Sequence, residues 1–277
     1  MTARYEIGIV ETRNVIKTIL DTYNYDFRDY ALTSFKRRVE EVITNNGLRD
    51  AEGLIYRLQS SKDYFDVFLK EITPETTEMF RDPSLWRAMR DDILPELKRS
   101  SSKPKIWIAN FDSGEELYSL CILLKEYGLL EGVQIYVSII SETTRKKIIS
   151  CKIDPKQVEV NEANYQRTNA ISVFSKYFTT NANGIFFDNS LIAEVNFIKQ
   201  DTLFSNPPGG VKLTLFRNQI IYFNQTHQDK VINTVSESIV AGGHLILGAK
   251  ETLENTNINH KFTVVNDSDK IYRKKTG

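Results

Sequence analysis

One short run in this sequence carries most of the readable chemistry: Ala109-Asn110-Phe111-Asp112-Ser113-Gly114-Glu115-Glu116. It reads as a strand-to-helix turn with one glycine at the bend and two acids opening the helix. It is not a G-x-G-x-x-G, so close approach of backbone to a pyrophosphate is unsupported. Carboxylates at a helix N-terminus repel phosphate and suit a ligand bearing a cationic amine or sulfonium, although Glu115 and Glu116 could equally do no more than complement the helix dipole. A second cluster, Lys36-Arg37-Arg38, sits on a helical stretch where Lys36 with Glu40 and Arg37 with Glu41 have the spacing of ordinary i,i+4 surface pairs. Cys121, Cys151, His227, His244 and His260 form no C-x-x-C, no H-E-x-x-H and no disulfide framework, which leaves no structural zinc motif. Cys121 reads as a small buried apolar residue and His227 as a surface residue at a helix start.

The elements that must position these groups fall into two regimes. The chain of 277 residues is charge-balanced, with 36 Lys+Arg against 36 Asp+Glu, which disfavours a nucleic-acid binder. No apolar run reaches the length of a membrane span, and the start lacks the order of a signal peptide, so a cytoplasmic, monomeric protein is expected. Residues 9–22, 33–47, 51–59, 62–72 and 83–99 have apolar positions at three- and four-residue spacing, predicting a helical N-terminal domain over 1–97. The polar run Lys98–Pro104 reads as a linker to about 104. Over 105–277, β-rich runs at 105–110, 133–140, 211–216 and 244–249 alternate with helical runs at 114–127, 142–150 and 225–240. This predicts an α/β domain with a mostly parallel sheet of βαβ units. KFTVV at 261–265 and KIYRKK at 270–275, joined by NDSD, predict a terminal antiparallel hairpin, the signature of the seven-stranded methyltransferase version of a Rossmann-like fold. A small β insertion is expected within about 152–198, with GIFF and SLIAEVNFI flanking an Asp188-Asn189 turn. In such a fold the ligand lies at the carboxyl ends of the strands.

Five blocks in this order resemble one family: Tyr23–Val39 (YNYDFRDYALTSFKRRV), Thr77–Pro83 (TEMFRDP), Ile106–Leu120 (IWIANFDSGEELYSL), Phe216–Phe223 (FRNQIIYF) and Leu247–Leu253 (LGAKETL). The chain resembles the CheR-type chemotaxis receptor methyltransferases, which are protein-glutamate O-methyltransferases using S-adenosylmethionine. The resemblance covers almost the whole chain and implies an all-helical N-terminal domain, a methyltransferase domain with a small β insertion, and a helical chemoreceptor as partner. It implies cofactor contacts from Thr77, Arg81, Glu115, Glu116, Asp201, Thr202, Arg217 and Asn218, with Glu115 and Glu116 toward the methionine ammonium and Asp201 and Thr202 toward the adenine. Arg81 and Tyr222 are the implied catalytic pair, and Lys36, Arg37 and Arg38 would face an acidic receptor bundle. The chemistry asked of them is modest, because a glutamate carboxylate is already a nucleophile at neutral pH; positioning and desolvation carry the rate, and S-adenosylhomocysteine is the product. No metal is implied. The bland readings are an interdomain salt bridge for Arg81 and core packing for Tyr222.

The departures point the other way. Where the family has a ribose-gripping acid after the second core strand, this chain has Val137-Ser138-Ile139-Ile140-Ser141, with Ile139 in its place and only Ser141 or Glu142 able to compensate. Loss of one charge-assisted hydrogen bond of about 1.5–3 kcal/mol weakens binding roughly tenfold to a hundredfold. Phe111 stands among residues that are usually small, Glu75 replaces an asparagine, and Lys212 replaces an aspartate. The alternative function is therefore a CheR-like binding or regulatory module that has lost strong cofactor binding. Asn206-Pro207-Pro208-Gly209 is similar to the N-P-P-aromatic loop of nucleic-acid amino-methyltransferases, but it precedes its strand and has glycine where a base must stack, so it reads as a turn.

Overall fold

The structure is a computed structural model that describes residues 5–28, 30–72, 78–100, 102–110 and 114–276. Four helices come first: α1 (Ile9–Tyr23), α2 (Leu32–Asn45), α3 (Ala51–Ser60) and α4 (Lys62–Ile72). Each buries one stripe, as in α2, where Phe35, Val39, Val42 and Ile43 face inward at three- and four-residue spacing. Asn24 ends α1 in the left-handed conformation, and the Asp50 carboxylate caps α3 by accepting from Gly53 N at 2.9 Å. After them, α5 (Pro83–Ala88) and α6 (Leu94–Lys98) are joined by a π-helical turn over Met89–Ile93. Pro83 occupies the first turn of α5, where its missing N–H costs nothing.

The rest alternates strand and helix: β1 (Lys105–Ile108), α7 (Glu115–Glu126), β2 (Gln134–Ile139), α8 (Glu142–Ile149), β3 (Lys152–Ile153), α9 (Val158–Arg167), β4 (Phe178–Asn181), β5 (Gly184–Phe187), β6 (Asn196–Lys199), β7 (Val211–Phe216), α10 (Gln225–Ser238), β8 (Ile239–Leu247), β9 (Phe262–Asn266) and β10 (Ile271–Lys274). Seven strands form the main sheet in the order β6-β2-β1-β7-β8-β10-β9, parallel except that β10 runs antiparallel to both β8 and β9. The expected methyltransferase topology is therefore present, terminal hairpin included.

Strand alternation divides the core. On β1, Trp107 and Ala109 join the apolar cluster that contains the α1–α4 stripes and Val231, Ile232 and Val235 of α10. Ile106 and Ile108 face the opposite cluster with α5 to α7 and Leu213, Leu215 and Ile246. Among the described residues, no helix is long and apolar enough to cross a membrane.

Three local expectations need correction. The insertion is a three-stranded sheet ordered β3-β5-β4, and its hairpin turns at Asn181–Gly184 instead of at Asp188-Asn189. Gly184 has φ 132°, and Asn183 N donates to the Asn181 carboxamide oxygen at 2.8 Å, whereas the Asp188 carboxylate accepts from Ser190 N and opens a short 3-10 turn. Asn196–Lys199 leaves the insertion to become the edge strand β6 beside β2. Finally, β8 starts at Ile239, five residues before the expected run, so α10 stops earlier.

Candidate active site

Arg217, the first residue after β7, is 1% exposed and lies between two carboxylates. Its Nη1 donates to Glu116 Oε1 at 2.5 Å and its Nη2 to Asp82 Oδ2 at 2.6 Å. Asn110 Nδ2 donates to the other oxygen of Glu116 at 2.5 Å, so both oxygens of this buried acid are occupied. Burial alone would lower the Arg217 pKa, but the Glu116 and Asp82 charges outweigh it and raise the guanidinium above its ordinary value. Glu115, beside it in the first turn of α7, is half-buried. Gly114 precedes it with φ 116°, and a Cβ there would meet the Tyr118 ring at 2.9 Å, which explains the glycine of this loop.

Arg81 is half-buried in the segment leading to α5, and among the described residues its guanidinium has no ion-pair partner. Among the described residues, the interdomain salt bridge is therefore not formed. Its carbonyl accepts from Trp86 Nε1 at 2.9 Å and from Arg217 Nη2 at 3.5 Å.

A second buried acid, Glu251, is 3% exposed and accepts from the backbone N–H of Asn218, Ile220 and Gly248 at 2.9, 2.8 and 2.7 Å, with Ile221 N farther at 3.5 Å. Burial pushes its carboxyl up, against the lowering effect of those donors. Asn218 is held there with φ 57°, and among the described residues its buried Nδ2 has no hydrogen-bond partner, nor do Asn110 Oδ1 and Arg217 Nε. Tyr222 follows one short turn later. It packs partly buried against the helical layer, and the Arg38 guanidinium lies over its ring, 4.8 Å from the centroid. The two sides are also joined by Ala31 N donating to Tyr222 O at 2.9 Å. Lys36 and Arg37 make the expected i,i+4 pairs with Glu40 and Glu41 at 3.4 and 3.8 Å. Arg38 leaves that face and turns toward the strand ends.

Asp201 and Thr202 form a separate turn. The Asp201 carboxylate accepts from Leu203 N, Ser205 N and the Ser205 hydroxyl, and the Thr202 hydroxyl donates to Asp26 O at 3.0 Å. His227, expected on the surface, is 1% exposed instead, its Nε2 at 2.8 Å from Thr202 O and its ring 4.5 Å from that of Phe223. Asn224 caps α10 by accepting from His227 N, and the imidazole packs inward against Phe223. Cys121 is buried as expected. Thr77, Glu75, Phe111 and Asp112 lie outside the described residues.

The chain matches the family model described as "CheR methyltransferase, SAM binding domain" over residues 75–271 and the one described as "CheR methyltransferase, all-alpha domain" over residues 11–73. The chain belongs to the CheR methyltransferase family. It is 32% identical over 269 residues to the Cher3 protein of Pseudomonas putida, which carries a methyltransferase name; the match covers 96% of this chain and 97% of that one. It is 23% identical to a chemotaxis protein methyltransferase of Listeria monocytogenes, covering 83% and 85% of the two chains. It is 29% identical to chemotaxis protein methyltransferase 1 of Vibrio cholerae, covering 70% of each.

The matched family domain is described as SAM binding, and the residues that the resemblance implies for such a ligand stand in two different surroundings. At the ends of β1 and β7, the buried Asn110 Oδ1 and Asn218 Nδ2 have no hydrogen-bond partner, and Arg81 has no ion-pair partner, among the described residues. The side chains that the resemblance implies for the nucleoside make bonds within the protein. Ile139 is buried, Ser141 Oγ caps α8 by accepting from Thr144 N at 3.1 Å, and Glu142 pairs with Arg145 at 3.6 Å. The compensating groups anticipated for the ribose are therefore already engaged. Among the described residues no His, Cys, Asp and Glu gather as a metal site would need.

Sequence reasoning missed Asp82, Asn110 and Glu251. Asp82 and Glu251 stand inside the TEMFRDP and LGAKETL blocks, and Asn110 begins the loop before Gly114, so each was within reach. What spacing could not reveal is which distant backbone or side chain each one holds.

Proposed function

We propose that this CheR-type methyltransferase transfers the methyl group of S-adenosylmethionine to glutamate carboxylates of a chemoreceptor-like helical protein. One observation supports the reading: Arg38, from the basic cluster of α2, lies on the ring of Tyr222, the residue that the resemblance implies beside the transferred methyl. An acidic helical partner laid along Lys36 and Arg37 would deliver a carboxylate to that place.

In this reading Glu115 takes the methionine ammonium, and Arg81 takes the cofactor's carboxylate or orients the incoming one by charge-assisted hydrogen bonds. Asn218 presents its carboxamide from the end of β7. Tyr222 donates a single hydrogen bond to the acceptor carboxylate and, with Arg38 over its ring, holds water away from it. Glu116 and Arg217 act as the charged frame beneath these groups. The bound cofactor supplies an electrophilic methyl on a sulfonium, so no residue need act as general base. Thr77, Asp201 and Thr202 remain assigned to cofactor contact by resemblance.

The test is methyl transfer from labelled S-adenosylmethionine to a chemoreceptor cytoplasmic fragment. A glutamyl methyl ester releases its label as methanol in alkali, whereas a methylated nitrogen retains it. Alkali-stable label, or none with a range of receptor fragments, would reject the assignment. The second reading, a module that has lost strong cofactor binding, is favoured by Ile139 and by the engaged side chains of Ser141, Asp201 and Thr202. Calorimetric titration with S-adenosylhomocysteine separates the two: saturable micromolar binding supports the enzyme, and no heat at millimolar ligand supports the module.

A further inference from the structure

Residues 79–82 form a short segment in which every residue is fastened by its backbone or its side chain. Met79 is held on both sides by α9, its N–H donating to Asn161 Oδ1 at 2.9 Å and its carbonyl accepting from Asn164 Nδ2 at 3.1 Å. Phe80 N donates to Ser119 Oγ of α7 at 2.8 Å. The Arg81 carbonyl accepts from Trp86 Nε1, and Asp82 is paired with the buried Arg217. Phe80 and Asp82 both lie in the left-handed region, with φ of 52° and 58°. Such conformations are unfavourable for residues with a Cβ and persist only where surrounding contacts impose them. The side chain of Arg81, between the two, is the one group of the segment left without a partner among the described residues.

We infer that Asp82 is a positioning residue for Arg81: by pairing with Arg217 it holds the segment in the doubly left-handed form that points the Arg81 guanidinium at the ligand. Arg217 is suited to the task. It is itself fixed by Glu116, which is fixed by Asn110, so the anchor reaches from the β7 end through α7 to the β1 end. A free aspartate at this place would relax toward an ordinary conformation, and Arg81 would sample several directions. The inference rests on the proposed role of Arg81 in cofactor binding.

The experiment is a double-mutant cycle on S-adenosylhomocysteine affinity, read by calorimetry on the full chain, with Asp82→Asn, Arg81→Ala and the combined variant. Asn tolerates the left-handed conformation, so the substitution removes the ion pair without adding backbone strain. Arg81→Ala should weaken binding at least tenfold, and Asp82→Asn severalfold. In the Arg81→Ala background Asp82→Asn should change the affinity by less than about twofold, because an anchor has nothing left to position. Asn161→Leu, which removes the acceptor for Met79 N from a different element, should behave in the same non-additive way and serves if Asp82→Asn does not fold. Additive effects of both variants, or wild-type affinity in both, would overturn the inference. Wild-type affinity in Arg81→Ala would instead reject the role assigned to Arg81.

Discussion

The Arg38 guanidinium of α2 rests on the ring of Tyr222 at 4.8 Å, joining the helical layer to the turn after β7. The contact has company: Tyr30 and Phe223 form an isolated antiparallel bridge, and their rings meet edge to face at 4.9 Å. Arg38 Nε is buried with no hydrogen-bond partner among the described residues. Replacing Arg38 by Met keeps a long apolar stem and removes the charge. The fold should lose about 0.5–1 kcal/mol in denaturant unfolding. S-adenosylhomocysteine affinity should stay near wild type while methyl transfer falls at least tenfold. Equal losses in cofactor affinity and transfer would place Arg38 in the cofactor pocket instead.

Glu251 clamps the residues that carry Asn218 and Tyr222 onto the end of β8, and Gly248 shows how tight that clamp is. A Cβ on Gly248 would lie 2.8 Å from Asn218 N and 2.8 Å from Glu251 Oε2. The backbone nitrogen cannot rotate away, so Gly248→Ala must push the two strand ends apart. About 1–3 kcal/mol of stability should be lost, as for other overpacked sites. Glu251→Gln replaces one acceptor oxygen by a donor facing N–H groups and should cost a similar amount. Thermal unfolding of both variants, compared with Lys250→Ala at the neighbouring exposed position, provides the check; three equal melting temperatures would show that the clamp does not operate.

Arg217 and the helices α1 to α4 illustrate what the sequence could and could not disclose. Periodicity placed α1 to α4 within a few residues, because each helix buries a stripe that spacing alone defines. Lys36–Glu40 and Arg37–Glu41 were readable for the same reason. Arg217 was readable as a residue of the site, but its partners stand 101 and 135 positions earlier in the chain, and only the sheet topology brings them together. The hairpin at 178–187 was misplaced because Thr179, Thr180 and Asn181 are exposed and polar, which hides the alternation that marks a strand. His227 was misjudged since a capping position says where the backbone is, not which way the ring turns. The resemblance to the family supplied the candidate residues, and the structure shows which of them, such as Glu116, bond to other side chains of the protein.

His244, on β8, is 3% exposed, and its Nδ1 has no partner. Burial lowers its pKa from 6.5; Glu96 opposes this, while Arg273 and Lys212 reinforce it. The unfolded chain therefore binds a proton that the folded chain refuses, and this contribution to stability is lost as the pH falls from about 6.5 toward the depressed value. Melting temperatures measured between about pH 7 and pH 5 should decline more steeply for the wild type than for His244→Gln. Parallel curves would mean that the imidazole titrates alike in both states.

The most direct question about the cofactor site lies at Ile139, buried at the end of β2 where a carboxylate would meet a ribose diol. Ile139→Asp places an unpaired charge in that position, and without ligand the variant should be less stable than wild type, because a buried carboxylate lacking partners loses its hydration. A nucleoside bound there would supply two hydroxyl donors. The variant should then bind S-adenosylhomocysteine about tenfold to a hundredfold more tightly, the worth of a hydrogen bond to a charged group. It should also show a larger ligand-induced rise in melting temperature than wild type, even though it starts lower. Unchanged or weaker affinity would mean that the nucleoside does not approach the end of β2 in this chain. The substitution of isoleucine would then mark a ligand held by its amino-acid end, through Arg81 and Glu115, and not a site that has lost its ligand altogether.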